Sequence, residues 1–342
     1  MASAIIKVYK FTEFLTKGKV TKMNKILEQV RNVGLMPVIK LTDVSKAVDL
    51  AKALTKGGIP VAEVTFRAAG ADKAIKAIAE ALPDMLVGAG TVINVEQADL
   101  AIKAGAKYIV SPGFVPEVVK FCIDSGVPVI PGCTNASEVS EASNFGLEVV
   151  KFFPAEAMGG LKVLKALSGP FASMKFIPTG GIGPDNLGDY LAFNKIIACG
   201  GSWMVPAKLV DACDWEGITA LAREAVTAML QVSIKHIGIN SENDQASTDT
   251  AKIFEVLMNA TAKTGNKSHF VTPEVEIMRS MGRGKMGHIA LGVTDVARAI
   301  RYYESQGMEF DYDTITYDDN GNPKFIYFKN EVGGFGIHLV TK

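Results

Sequence analysis

Val61-Ala62-Glu63-Val64-Thr65-Phe66, the stretch Ala71 to Ala81, and Met85-Leu86-Val87-Gly88-Ala89-Gly90-Thr91 read as strand, helix and strand in succession. The outer runs are apolar and β-rich, and the middle stretch spaces its apolar residues as a helix does. The same theme recurs from residue 35 to about 205. Further runs are Met36-Pro37-Val38-Ile39, Tyr108-Ile109-Val110-Ser111-Pro112-Gly113, Val127-Pro128-Val129-Ile130-Pro131-Gly132 and Val149-Val150-Lys151-Phe152. Phe176-Ile177-Pro178-Thr179-Gly180-Gly181 and Ile196-Ile197-Ala198-Cys199-Gly200-Gly201 complete a set of eight. Helical stretches such as Val44 to Lys56 lie between them. Alternating strand and helix implies parallel pairing through right-handed crossovers. Eight units over roughly 200 residues predict a (β/α)8 TIM barrel. A doubly wound open sheet is the alternative, and the count of eight favours the barrel.

A barrel places its chemistry at the C-terminal ends of its strands. Lys151 lies inside an apolar run, Glu148 to Glu156. An ammonium there must find a counter-charge or give up its proton, and a neutral amine can form a Schiff base with a carbonyl. The plainer reading is a strand-end lysine whose head reaches solvent. Glu63 is a carboxylate inside another apolar strand, equally costly without a partner. The two side chains explain each other, either as a buried ion pair or as an amine nucleophile beside a general acid/base. Arg67, Thr91 and Pro112 also fall at or near strand ends. So do Gly180-Gly181 and Gly200-Gly201, whose exposed backbone N–H groups near a helix N-terminus would suit an anion such as phosphate. A single Gly-Gly pair more often marks a tight turn.

The chain has 342 residues, 48% hydrophobic, with 36 Lys+Arg against 36 Asp+Glu. No basic tract stands out, which argues against nucleic acid. No apolar stretch approaches the roughly 20 residues of a membrane span. Met1 to Met23 lacks the apolar core of a signal peptide, so a cytoplasmic protein is expected, with residues 1–22 as an N-terminal extension. Cys122, Cys133, Cys199 and Cys213 are spread singly. They read as reduced thiols, not as a disulfide frame or zinc site.

Glu63-Val64-Thr65-Phe66-Arg67, Gly88-Ala89-Gly90-Thr91, Ser111-Pro112-Gly113, Lys151-Phe152-Phe153-Pro154-Ala155-Glu156, Pro178-Thr179-Gly180-Gly181-Ile182 and Gly200-Gly201-Ser202-Trp203 closely resemble the 2-dehydro-3-deoxy-phosphogluconate (KDPG)/4-hydroxy-2-oxoglutarate (KHG) aldolases. The resemblance covers about residues 24–230. It implies a metal-independent class I aldolase, often a homotrimer, in a domain over 23–232. Lys151 would be the Schiff-base lysine and Glu63 the general acid/base. Arg67, Thr91, Pro112 and Phe153 would line the pyruvate and carboxylate end. Thr179, Gly180, Gly181, Gly201 and Ser202 would hold the phosphate end. Many relatives carry arginine after the first strand where this chain has Lys40, which keeps the charge and loses the bidentate fork. Phosphorylated and unphosphorylated substrates, or another 2-keto-3-deoxy sugar acid, all remain open.

After the helical stretch Trp215 to Leu230 the organisation changes. Ile234 to Asn240 reads as a strand, Thr248 to Ala260 as an amphipathic helix, and short strand-like runs end in Val275-Glu276-Ile277-Met278. A glycine-rich link, Gly282 to Gly287, precedes a restart: a strand from His288 to Val293, a helix from Val296 to Gln306, and strands ending in Gly336-Ile337-His338-Leu339-Val340. This is a duplicated βαβββ unit. Across 233–342 the repeat resembles the vicinal oxygen chelate (glyoxalase-like) fold. In that family each unit gives one metal ligand from its first strand and one from its last. Those places hold His236, Glu276, His288 and His338, while His269 lies outside the pattern. Imidazole suits Zn, Ni, Fe or Mn without choosing among them. A metal-free pocket, or a non-catalytic sensor or assembly module, is the alternative.

Overall fold

The computed structural model describes residues 23–342; the expected N-terminal extension, 1–22, lies outside the described residues. Eight short strands come first: Leu35–Ile39 (β1), Val61–Thr65 (β2), Leu86–Gly90 (β3), Ile109–Val110 (β4), Val129–Ile130 (β5), Val149–Phe152 (β6), Lys175–Pro178 (β7) and Cys199–Gly201 (β8). All are parallel to their neighbours, in the orders β5-β4-β3-β2-β1-β8 and β6-β7. Single parallel bridges, Gly132 to Lys151 and Thr179 to Gly200, join the two groups into a ring. The pairing of β1 with β8 (Leu35 with Cys199) removes both edges and excludes the open sheet. Every residue of β1 and β2 is buried, as expected of parallel strands covered on both faces.

The helices follow from pattern and caps. Ala71–Ala81 buries Ala71, Ala74, Ile75 and Ile78, a face at helical spacing. Asn94, Asn135 and Asp214 each accept a backbone N–H at the start of a following helix. Two expectations need correction. The run from Val44 opens as a 3-10 turn, with the Asp43 carboxylate accepting from Ser45, and the α-helix proper is Ala47–Lys56. β4 and β5 pair over two residues each, shorter than their apolar runs. Pro112, Pro128 and Pro131 bracket them and have no N–H for the ladder.

The helix Trp215–Leu230 ends at Gln231, which takes a left-handed conformation, and the chain enters an eight-stranded mixed sheet. Its strands are Ser233–Ile239 (β9), Lys263–Thr264 (β10), Ser268–Thr272 (β11), Val275–Met278 (β12), Gly287–Val293 (β13), Phe310–Tyr317 (β14), Pro323–Phe328 (β15) and Phe335–Thr341 (β16). A helix, Asp244–Met258, follows β9, and a second, Val296–Ser305, follows β13. The first starts earlier than the expected Thr248 because Asn243 caps it. The two βαβββ units are related by an approximate twofold that the register makes explicit. Antiparallel pairing sets His236 opposite Ala290 and Gly238 opposite His288. Parallel pairing sets Glu276 beside Gly238 and His338 beside Ala290. Exchanging 236 for 288, 238 for 290 and 276 for 338 maps each contact onto its counterpart.

The two helices of the repeat meet different surroundings. Val296–Ser305 packs on the barrel, and Val296, Ala299 and Ile300 join its core. The Arg298 guanidinium is buried and donates to the carbonyls of Arg31 and Ile197, while Arg301 donates to Gly58. The helix Asp244–Met258 covers only a small cluster around Ala251, Val271 and Ile277, and leaves Ile253, Val256 and Leu257 exposed.

Candidate active site

Lys151 on β6 and Glu63 on β2 come from strands that are not neighbours, and their side chains meet within the ring. Nζ of Lys151 lies 3.1 Å from Oε1 and 3.4 Å from Oε2 of Glu63. Both are almost wholly buried, with side chains 7% and 1% exposed. The reading of a lysine reaching solvent therefore fails, and a buried pair stands in its place. Such a pair depends on both members, because removing one strands the other's charge. The fit is made by a residue the sequence did not flag. A Cβ at Gly90 would lie 2.1 Å from Glu63 Oε1, so only glycine on β3 admits the carboxylate. Tyr108 closes the floor: its ring fills the space beside Gly88 and its hydroxyl donates to the Ala62 carbonyl. Burial, reinforced by the Glu63 charge, pushes the Tyr108 phenol well above its usual range.

Around this pair the expected residues take definite places. The Phe153 ring centroid is 5.3 Å from Lys151 Nζ, within cation–π reach. Thr65 donates to the Ile39 carbonyl and accepts from Arg67 Nε at 3.3 Å, which ties Arg67 to the strand of Glu63. Thr91, at the tip of β3, has φ 56°, unusual for a β-branched residue. Pro112 follows β4, and its carbonyl sits so near Gly132 that a Cβ there would clash. Cys133 is buried behind Lys151, donating its backbone N–H to the Lys151 carbonyl, and burial pushes its thiol up to about 12. It is a packed thiol. Cys122 and Cys199 are buried too, and Cys213 is exposed; all four are free.

Gly180-Gly181 follows β7 and Gly200-Gly201 ends β8, and a parallel bridge from Thr179 to Gly200 links the two segments. Gly180 and Gly181 have φ of 101° and 78°, which suits glycine. A Cβ at Gly200 would lie 2.2 Å from Thr179 Oγ1, and that buried hydroxyl has no hydrogen-bond partner. A cavity of about 320 Å³ gathers Lys40, Arg67 and Ser202. Its wall also carries Asp43, Lys46 and Asp211, which no motif had marked. Lys151 and Glu63 are not part of that wall. Lys151 and Glu63 thus form an inner buried pair, and Lys40, Arg67 and Ser202 share an outer, cation-bearing cavity.

In the C-terminal sheet all four expected ligands converge. His236 Nε2 and His288 Nε2 are 3.0 Å apart, and Glu276 Oε2 lies 3.4 Å and 3.1 Å from them. Nitrogens of His236, His288 and His338 all fall within 4.8 Å of one another. Burial first, then the neighbouring imidazoles, lowers the His338 pKa to about 3. Burial also lowers that of His236. Burial works against the Glu276 carboxylate, but hydrogen bonds from His288 and Ser268 hold it below its usual range. Unprotonated imidazoles beside an ionised carboxylate are the states in which these groups bind metals. His338 Nδ1 is buried without a hydrogen-bond partner. His269, outside the pattern, has both ring nitrogens satisfied by Thr264 and Ser247.

Among the described residues no helix is long and apolar enough to cross a membrane. The KDPG and KHG aldolase family matches residues 26–221. The 2-dehydro-3-deoxy-phosphogluconate aldolase of Treponema pallidum is 49% identical over 204 residues, 60% of this chain and 97% of that protein. The KHG/KDPG aldolase of Escherichia coli K12 is 47% identical over 200 residues, 58% of this chain and 94% of that protein. A solved KDPG aldolase from Legionella pneumophila, with pyruvate captured as a covalent carbinolamine, superposes with a TM-score of 0.58 at 39% identity, covering 60% of this chain and 99% of that one. The chain belongs to the KDPG and KHG aldolase family, and it is a lyase of the class I pyruvate aldolase type.

Proposed function

We propose that the barrel cleaves 2-dehydro-3-deoxy-6-phosphogluconate to pyruvate and glyceraldehyde 3-phosphate, and 4-hydroxy-2-oxoglutarate to pyruvate and glyoxylate, through a Schiff base on Lys151. The observation that carries this is the buried pair of Lys151 and Glu63. The Lys151 amine attacks the C2 ketone, and Glu63 moves protons as the carbinolamine loses water to give the iminium. The iminium withdraws electrons from C3. Glu63, acting through a water, takes the C4 hydroxyl proton, and the C3–C4 bond breaks. An aldehyde leaves, and the enamine of pyruvate is protonated at C3 and hydrolysed. The carbinolamine held by the Legionella relative is the first covalent species in this sequence. Arg67, Thr91, Pro112 and Phe153 face the pyruvate end. Lys40, Ser202, the partnerless Thr179 hydroxyl and the amides at Gly180, Gly181 and Gly201 face the phosphate. Assembly as a homotrimer and a cytoplasmic location belong to the same reading.

Pyruvate release from the two substrates, measured side by side, tests this. Cleavage of neither would overturn it. Ser202→Asp sets a negative charge in the cavity. It is expected to lower kcat/KM for the phosphorylated sugar acid by about tenfold or more, since like charges at close range cost over 1 kcal/mol. The unphosphorylated substrate should change far less. Equal losses would place the phosphate elsewhere.

A second reading concerns the C-terminal sheet, proposed as a vicinal oxygen chelate module that holds one divalent metal between His236, Glu276, His288 and His338. The partnerless His338 nitrogen and the convergent donors favour it over a non-catalytic sensor or assembly module. A Zn, Ni, Fe or Mn ion there would supply a Lewis acid for a chelating oxygen ligand. The aldol chemistry uses no metal, so a chelator should leave the aldolase rate unchanged. Elemental analysis should find near-stoichiometric metal in the native chain and little in His288→Ala. Chelation should also lower the melting temperature, because a metal bound only by the folded state stabilises it. Equal trace metal in both proteins would exclude this ligand set.

A further inference from the structure

The loop that carries Gly180 and Gly181 is held from two sides. The Glu156 backbone N–H donates to the Gly180 carbonyl at 3.1 Å. The Asn186 side-chain amide donates to the Gly181 carbonyl at 3.1 Å and accepts from Gly183 N–H at 2.9 Å. A trans peptide points its N–H away from its C=O. Fixing the Gly180 carbonyl therefore aims the Gly181 N–H, and fixing the Gly181 carbonyl aims the Ile182 N–H. Glu156 is itself fixed. Its carboxylate accepts a hydrogen bond from the Tyr190 hydroxyl, and Tyr190 is 2% exposed on the helix Pro184–Leu191. The Glu156 side chain packs where a Cβ on Gly181 would fall. The Thr179 hydroxyl, 6% exposed and without a partner, marks the same end of the barrel as built to receive a polar group.

We propose that Tyr190, Glu156 and Asn186 are positioning residues that aim the Gly181 and Ile182 amides at the substrate phosphate. The assignment rests on the aldolase reading for its substrate, but its geometry does not. Tyr190 locks the loop after β6, which follows Lys151, to the helix after β7, which follows the cradle. Without the Tyr190 hydroxyl, the Glu156 carboxylate is free to turn toward the amides and compete with phosphate for them.

Inorganic phosphate titrated by calorimetry into the full chain tests this, with borohydride trapping of pyruvate as the control. Tyr190→Phe and Asn186→Ala should each weaken phosphate binding by about three- to tenfold, the net worth of one hydrogen bond. Pyruvate trapping and melting temperature should hold near native. Glu156→Gln keeps an acceptor for Tyr190 and should bind phosphate within about twofold of native, less than half a kcal/mol. Unchanged phosphate binding in both Tyr190→Phe and Asn186→Ala would overturn the proposal. So would phosphate binding and pyruvate trapping falling together, which would mean general damage to the barrel. If the native chain fails to trap pyruvate, the aldolase reading falls, and the phosphate affinities, read against melting temperature, still decide the positioning role.

Discussion

Lys151→Ala is expected to lose retro-aldol activity by on the order of 10⁴-fold or more, the scale seen when a covalent nucleophile is removed. The amine is the only group of the buried pair that can form the imine, because the Glu63 carboxylate has no nitrogen with which to attack the ketone. The variant also leaves Glu63 buried without its counter-charge, which is costly. Melting temperature must therefore be measured beside activity. Lys151→Met, which fills the space of the aliphatic stem, separates the two effects. A folded Lys151→Met with appreciable retro-aldol activity would contradict the assignment.

Glu63→Gln should lose on the order of 10²–10⁴ in rate, the range for general acid–base catalysis. The amide keeps the shape that fits against Gly90 but cannot exchange protons with the carbinolamine or the C4 hydroxyl. Some borohydride-trappable adduct should still form, because the amine remains. Steady-state rates on both substrates check this. A loss below about tenfold would mean that another base carries the proton.

Much of this arrangement is legible in the chain because each strand is an apolar run and most are closed by glycine, proline or threonine. The ring of eight follows from counting them. Lys151 and Glu63 declare themselves as charges inside such runs, where only a partner or a reaction accounts for them. The C-terminal cluster is legible for a different reason. A duplicated unit repeats its chemistry, so His236 and His288 mark equivalent strand starts, and Glu276 and His338 equivalent ends.

What escapes the sequence is contact between distant segments. Gly90 looks like any strand glycine, and its need is set by a carboxylate 27 positions away on the neighbouring strand. The Tyr190 hydroxyl finds Glu156 only because the helix after β7 lies beside the loop after β6. Arg298 carries no motif, yet it is buried where the second repeat meets the barrel. β4 and β5 are shorter than their apolar runs because tertiary pairing, limited by three prolines, decides where a ladder ends.

The most direct test of the central claim is chemical. The native chain treated with pyruvate and borohydride, then digested and mapped by mass spectrometry, should carry one reduced pyruvate adduct, on Lys151. An adduct on a different lysine, or none on a chain that still releases pyruvate from substrate, would contradict it.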